Sequence, residues 1–138
     1  MIYKKNTANY PRLDTDVFFS DYNTLQKYNG YIDEMFSLIE SRQLLDIDLW
    51  KAFVQQFKLQ TDKDLHWRGE FWGKMLRGAS FVYSYSKNEE LYSLLEDTVR
   101  DMLSVQESSG RISTYPVECE FDGWDLWCRK YVLLGMQY

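Results

Sequence analysis

Trp67, Arg68 and Glu70 stand at the start of one strongly apolar stretch, and Trp124, Asp125 and Trp127 at the start of another. Arg111 and Tyr115 lie in the polar segment that leads to the second. Flat rings beside carboxylates and a guanidinium suit a carbohydrate, whose C–H faces stack on aromatics while its hydroxyls take paired hydrogen bonds. Each residue also has a purely structural reading. Glu70 is a first-turn acid favoured by the helix dipole, and Asp122 and Asp125 flank a helix start where an Asp N-cap is common. Trp72 and Trp127 fall within apolar stripes and are expected in the core, whereas Trp67 and Trp124 are placed to face a cleft. Two carboxylates could serve as the acid and base of a glycosidase, their separation setting the stereochemical course. Glu118 and Glu120 read as solvated loop charges, and His66 as a surface or capping residue.

Metal and nucleophile chemistry find little support. Cys119 and Cys128 are the two cysteines and His66 the one histidine, short of the roughly four ligands of a closed zinc site. Two free thiols are expected. Arg129-Lys130 could depress the Cys128 pKa, but a buried, inert thiol is the simpler reading. There is no phosphate loop, no Gly-x-Ser-x-Gly elbow and no His-Glu-x-x-His helix. With 21 acidic against 16 basic residues and a net charge of −5, the chain lacks the cationic surface that displaces counterions from nucleic acid. No apolar run approaches the roughly 18 residues that span a bilayer. The polar Asn6-Thr7-Ala8-Asn9 follows Lys4-Lys5, where a secretory signal would turn apolar. These features predict a cytoplasmic protein with neither nucleic acid nor membrane as partner.

The elements that must position these residues are helical. Residues 1–29 carry turn formers and no sustained period, so they read as an extended lead-in with at most a short strand or helical turn near Val17 to Phe19. Ile32, Met35, Phe36 and Ile39 follow the i, i+3, i+4, i+7 pattern and predict a helix over 31–43. Leu49, Trp50, Phe53, Val54 and Phe57 predict a second over 46–58. A third, over 67–86, places Phe71, Met75, Ala79 and Val82 on one stripe with Trp72, Leu76 and Tyr83 beside it. Its Gly73, Gly78 and Ala79 suggest close helix approach. Asn88 is a plausible N-cap for a fourth helix reaching about Gln106, with Leu91, Leu95, Thr98 and Met102 inward. Residues 107–123 read as loop, broken by Gly110, Pro116 and Gly123, with at most a short strand pair around Arg111 to Thr114. A fifth helix from Trp124 buries Trp127, Tyr131 and Leu134 and is expected to run uncapped to Tyr138. The tight link between the third and fourth helices makes them an antiparallel hairpin, so the fifth runs parallel to the third. Both then begin at the end where the long loops collect, which is where function gathers on a rigid scaffold. The class is all-α, residues 30–138 forming the folded part.

Several blocks together resemble the N-terminal part of glycoside hydrolase family 127, which includes β-L-arabinofuranosidases. They are Gly69-Glu70-Phe71-Trp72-Gly73-Lys74, Tyr83-x-Tyr85, Glu89-Glu90-Leu91, the run from Gln106 through Gly110-Arg111-Ile112 to Thr114-Tyr115, and Glu120-Phe121-Asp122-Gly123-Trp124-Asp125-x-Trp127-Cys128-Arg129-Lys130-Tyr131-Val132-Leu133-Leu134-Gly135. The match covers residues 67–138 well and 30–58 loosely. It implies part of an (α/α)6 six-hairpin toroid, incomplete in this chain, with the third and fifth helices inside and the fourth outside. It also implies zinc and a cysteine nucleophile further along the family's chain than this one extends. No catalytic or metal-binding role passes to Cys119 or Cys128, and no cofactor is expected in this chain. Lys130-Tyr131 departs from the Gly-His that follows the matching segment in the better-known members.

The expectation is therefore the N-terminal portion of a glycosidase that removes a terminal sugar from an oligosaccharide, inactive as this fragment. Trp67, Glu70, Trp124 and Asp125 are expected to wall its cleft. The alternatives are a non-catalytic carbohydrate-binding remnant or a helical interaction module that self-associates through uncovered helix faces.

Overall fold

The computed structural model describes residues 27–63 and 66–138. Five α-helices and no strand occur among them: α1 Tyr31–Ile39, α2 Ile47–Leu59, α3 Glu70–Ser86, α4 Glu89–Ser104 and α5 Asp125–Met136. The expected turn or strand near Val17 to Phe19 lies outside the described residues.

Local chemistry explains the boundaries. Gly30 enters α1 at φ 68°, a conformation glycine adopts without steric cost. The first helical stretch does not stay α-helical to its end but widens into a π-turn over Glu40–Leu44. Leu44 is buried there, and its carbonyl accepts the Trp50 indole N–H at 2.8 Å. Asp46 caps α2 by accepting the Leu49 N–H at 3.1 Å, and Asn88 caps α4 by accepting the Glu90 N–H at 3.0 Å.

α3 is the central helix. Its Trp72 indole donates to Thr98 Oγ1 on α4 at 2.9 Å, and Tyr83 meets Tyr92 with ring centroids 5.2 Å apart. Rising positions on α3 thus meet falling positions on α4, the antiparallel hairpin expected. Against α5 the order rises on both helices: Gly69 faces Cys128, Gly73 faces Val132, and Arg77 lies over the Tyr138 ring. α3 and α5 are parallel, and their first turns share one end of the bundle. α2 reaches α3 through the stacked rings of Phe53 and Phe71, 6.3 Å apart. The core joins Trp50, Val54 and Phe57 of α2 to Trp72, Leu76, Ala79 and Val82 of α3, Leu91, Leu95 and Met102 of α4, and Val132 of α5.

Two helices face differently from the apolar pattern. On α3 the buried row is Trp72, Gly73, Leu76, Ala79 and Val82, while Phe71 is exposed and Met75 half-buried. On α5 the buried residues are Asp125, Cys128, Val132 and Gly135, one position on from the expected Trp127, Tyr131 and Leu134. One position is a rotation of about 100°. Close contact sets it: Gly73 and Gly135 let the two backbones meet, and turning α5 by one residue would put a side chain into that contact. Gly78 takes no part, since nothing lies within 4 Å of where its Cβ would be. Segment 111–114 forms no strand, and α5 ends at Met136.

Candidate functional site

The loop between α4 and α5 is built from the inside out by polar side chains. Arg111, Ser113, Thr114 and Tyr115 are all buried. Irregular backbone can be buried only when its polar groups find partners, and side chains supply many of them here, the buried Arg111 Nε being an exception that has an ion-pair neighbour but no hydrogen bond. Asp62 donates its N–H to the Thr114 carbonyl at 3.0 Å and accepts the Thr114 hydroxyl at 2.7 Å. Its other carboxylate oxygen pairs with Arg68. Arg111 donates to the Tyr115 carbonyl and pairs with Glu107, with Glu120 3.3 Å from its Nε. Glu120 and Asp125 each lie 2.7 Å from Arg129. The loop is an ion-pair lattice tied to α5 through Asp125 and Arg129 and to the segment before α3 through Asp62.

Tyr115 carries that lattice to the rim. Its buried hydroxyl donates to the His66 carbonyl and accepts the Trp124 N–H at 3.2 Å. One side chain thereby fixes the backbone beside Trp67 and the backbone of Trp124. His66 itself is exposed, its Nδ1 accepting the Lys63 N–H at 3.2 Å, in keeping with a capping role.

Above this frame Trp67, Glu70, Lys74, Trp124 and Trp127 line a cleft of about 230 Å³ at the shared first-turn end of α3 and α5. Three of the four expected cleft residues, Trp67, Glu70 and Trp124, are brought together there. Asp125 is not. It is fully buried and accepts from Ser113 Oγ, from the Phe121 N–H at 2.9 Å and from Arg129 Nε at 3.0 Å. Its carboxylate is drawn inward because a guanidinium, a hydroxyl and a backbone N–H all converge on it. Glu120, expected to be solvated, belongs to the same lattice, and a partial signal lay in the helical i, i+4 pair Asp125–Arg129.

Trp127, expected in the core, instead lines the cleft and is 39% exposed. Its indole N–H donates to Glu70 Oε2, while Lys74 Nζ lies 2.7 Å from Oε1. That hydrogen bond raises the Lys74 pKa above its ordinary value. Lys130 Nζ sits 3.3 Å from the Trp127 ring centroid and 4.2 Å from that of Tyr131. Trp127 is therefore a strut, its N–H committed and one face capped by an ammonium, and Trp67 and Trp124 are the platforms open for stacking. Glu70 keeps lone pairs for a ligand hydroxyl. It is the one carboxylate among the described residues that line the cleft.

A larger groove, about 600 Å³, runs between α2 and α4 past Lys51, Asp97, Arg100 and Asp101. Arg100 there pairs with Glu96 and Asp97 at 3.6 and 3.4 Å on its own helix, and no buried polar group converges on the space apart from Thr98, whose hydroxyl already accepts from Trp72. Its size reflects the spacing of two helices more than a shaped site.

Cys128 is buried beneath Gly69, and burial pushes its thiol up to about 11. The neighbouring Arg129 does not activate it, because that guanidinium is held by Glu120 and Asp125. No group of three or more His, Cys, Asp or Glu side chains among the described residues is arranged to hold a metal ion, and no helix among them is long and apolar enough to cross a membrane. No protein-family profile, no curated protein and no solved structure matches this chain.

Proposed function

We propose that the chain forms one wall of a carbohydrate-binding cleft, as the N-terminal portion of a glycoside hydrolase of the six-hairpin toroid type that its sequence resembles. The observation that carries this reading is the pair of exposed indoles, Trp67 and Trp124, which line one cleft with Glu70 and Lys74 and whose flanking backbone is tied together by the buried Tyr115 hydroxyl. The rings supply stacking surface, and Glu70 and Lys74 supply an acceptor and a donor for neighbouring sugar hydroxyls. Binding falls to these residues, and no step of hydrolysis is assigned to them.

Calorimetric titration of the chain with pentose oligosaccharides tests the proposal. Measurable binding that disappears in Trp124→Ala supports it, and binding indifferent to that substitution counts against it. The same preparation should leave an aryl β-L-arabinofuranoside unhydrolysed beyond the buffer rate.

A second reading is favoured by the outer face of α5. Leu126 and Leu133 are 57% and 69% exposed and form, with Leu134, a shallow apolar surface. Such a face fits an interaction module that covers it with another helix or a second copy. Sedimentation at rising concentration separates the two readings, a persistent monomer excluding self-association.

A further inference from the structure

We infer that the Asn29–Gly30 joint is a self-modification site, where Asn29 cyclises onto the Gly30 nitrogen and the isoaspartate that results releases the start of α1 from Tyr85. Attack of a backbone nitrogen on the preceding asparagine side chain is hindered by the side chain that nitrogen's own residue carries, and glycine has none. Asn6, Asn9, Asn23 and Asn88 all precede larger residues, so Asn29 is the one asparagine followed by glycine. It is exposed to water. Gly30, the N-cap of α1, accepts the Glu34 N–H at 3.0 Å, but its own N–H precedes the helical ladder. The attacking nitrogen is therefore not held in the helix. Asn88 is the contrast, since its side chain accepts the Glu90 N–H at 3.0 Å and donates to Glu40.

In the first step the Gly30 nitrogen bonds to Asn29 Cγ and the Cγ–Nδ2 bond breaks, the side-chain amide leaving as ammonia with the proton that Gly30 gives up. Water then opens the cyclic imide. Cleavage of the new bond to Cγ leaves aspartate, whereas cleavage of the original peptide bond leaves isoaspartate, with the main chain routed through the side-chain methylene. That methylene falls between two anchors. The Tyr85 hydroxyl of α3 accepts the Tyr28 N–H at 3.1 Å on one side of the joint and donates to Asp33 Oδ1 at 2.6 Å on the other. The Tyr28 and Phe36 rings also stack on Tyr85, at centroid distances of 5.9 and 4.6 Å. The joint is pinned to one side chain at both ends, so lengthening the chain between the pins frees one of them.

The experiment ages the chain and Asn29→Gln in mildly alkaline buffer, with freshly prepared Asn29→Asp beside them, and reads proteolytic peptides by mass spectrometry and α1 amides by hydrogen exchange. The peptide carrying Asn29 is expected to lose its amide within a few-fold of the rate in the urea-unfolded chain, with isoaspartate among the products, while Asn88 stays intact. Exchange over the first turn of α1 should rise in the aged chain and stay unchanged in aged Asn29→Gln. Asn29→Asp adds the charge without the methylene and should keep α1 protected. An Asn29 amide that survives in the folded chain long after the unfolded chain has lost it overturns the inference. So does isoaspartate that leaves α1 exchange at its starting value, or an Asn29→Asp variant that loosens α1 equally.

Discussion

Gly73 of α3 lies against the backbone carbonyl of Tyr131 on α5, so closely that a Cβ at this position would overlap it and stand 2.7 Å from the Val132 nitrogen. Gly135 returns the contact, its own would-be Cβ 2.7 Å from the Gly73 oxygen. Backbone does not step aside as a flexible side chain does. Gly73→Ala is therefore expected to push the helices apart at about 3 kcal/mol, the upper part of the usual cost of overpacking. Gly78 is the control, since its Cβ would enter open space. Gly78→Ala should stabilise by about 1 kcal/mol through helix propensity, or about 4 °C in melting temperature for a chain of this size. Thermal melting of the two variants checks the packing, and shifts of the same sign would contradict it.

The same contact shows why one helix was legible from its sequence and another was not. α4 presents a single face to the bundle, and Asn88, Leu91, Leu95, Thr98 and Met102 play the parts their spacing predicts. α5 carries large apolar residues around most of its circumference, so its orientation was decided by where it is small. Cys128 and Gly135 face inward because Gly69 and Gly73 are opposite them. Trp127 was placed in the core by its apolar neighbours and stands in the cleft instead. The cleft's position followed from connection lengths alone, because a tight α3–α4 link forces α3 and α5 to start together. The lattice beneath it did not follow, since the partnerships of Asp62 with Thr114 and of Tyr115 with His66 join distant segments. Asp125 illustrates the cost of that gap: an acid at a helix start looks like a ligand contact until its partners are known.

Glu107 makes the lattice sensitive to acid. The Gln60 amide, and after it the Arg111 guanidinium, hold its carboxyl below the ordinary 4.5. A lowered folded-state pKa means that the unfolded chain takes up the proton first as pH falls. The stabilisation is complete above pH 4.5 and is lost as pH drops through Glu107's own folded value. Urea midpoints measured at about pH 7 and about pH 3.5 should show Glu107→Gln weakened at the higher pH and losing less between the two than the unaltered chain. Parallel losses in both proteins would remove Glu107 from the account.

The two thiols should differ sharply in reactivity. Cys128 is fully buried with its pKa pushed up to about 11, so at neutral pH only about one molecule in ten thousand carries the thiolate that reacts. Cys119, in the short 3-10 turn Val117–Cys119, is half-buried. Titration of the native chain with a disulfide reagent at neutral pH is expected to modify one thiol, and two after denaturation. Cys119→Ser should leave the native chain silent. Rapid native labelling of Cys119→Ser would show that the α3–α5 contact opens far more readily than its packing implies.

The cleft's rigidity depends on a hydroxyl that touches no ligand. Tyr115 is fully buried and joins the His66 carbonyl to the Trp124 N–H. Tyr115→Phe keeps the ring and its packing but deprives both backbone groups of a partner, at about 1–3 kcal/mol for a buried polar group left unsatisfied. The effect should be local. Far-ultraviolet circular dichroism is expected to stay helical, while acrylamide quenching of tryptophan fluorescence rises as Trp67 and Trp124 loosen. Any sugar affinity should fall along with the order of those rings, although neither ring has been altered. Trp124→Ala separates the two effects, because it removes a stacking surface and leaves the Tyr115–His66 bond in place. If Tyr115→Phe melts at the same temperature and quenches like the unaltered chain, the hydroxyl does not set the cleft, and the ion pairs of Asp62 and Arg111 alone must hold its two walls.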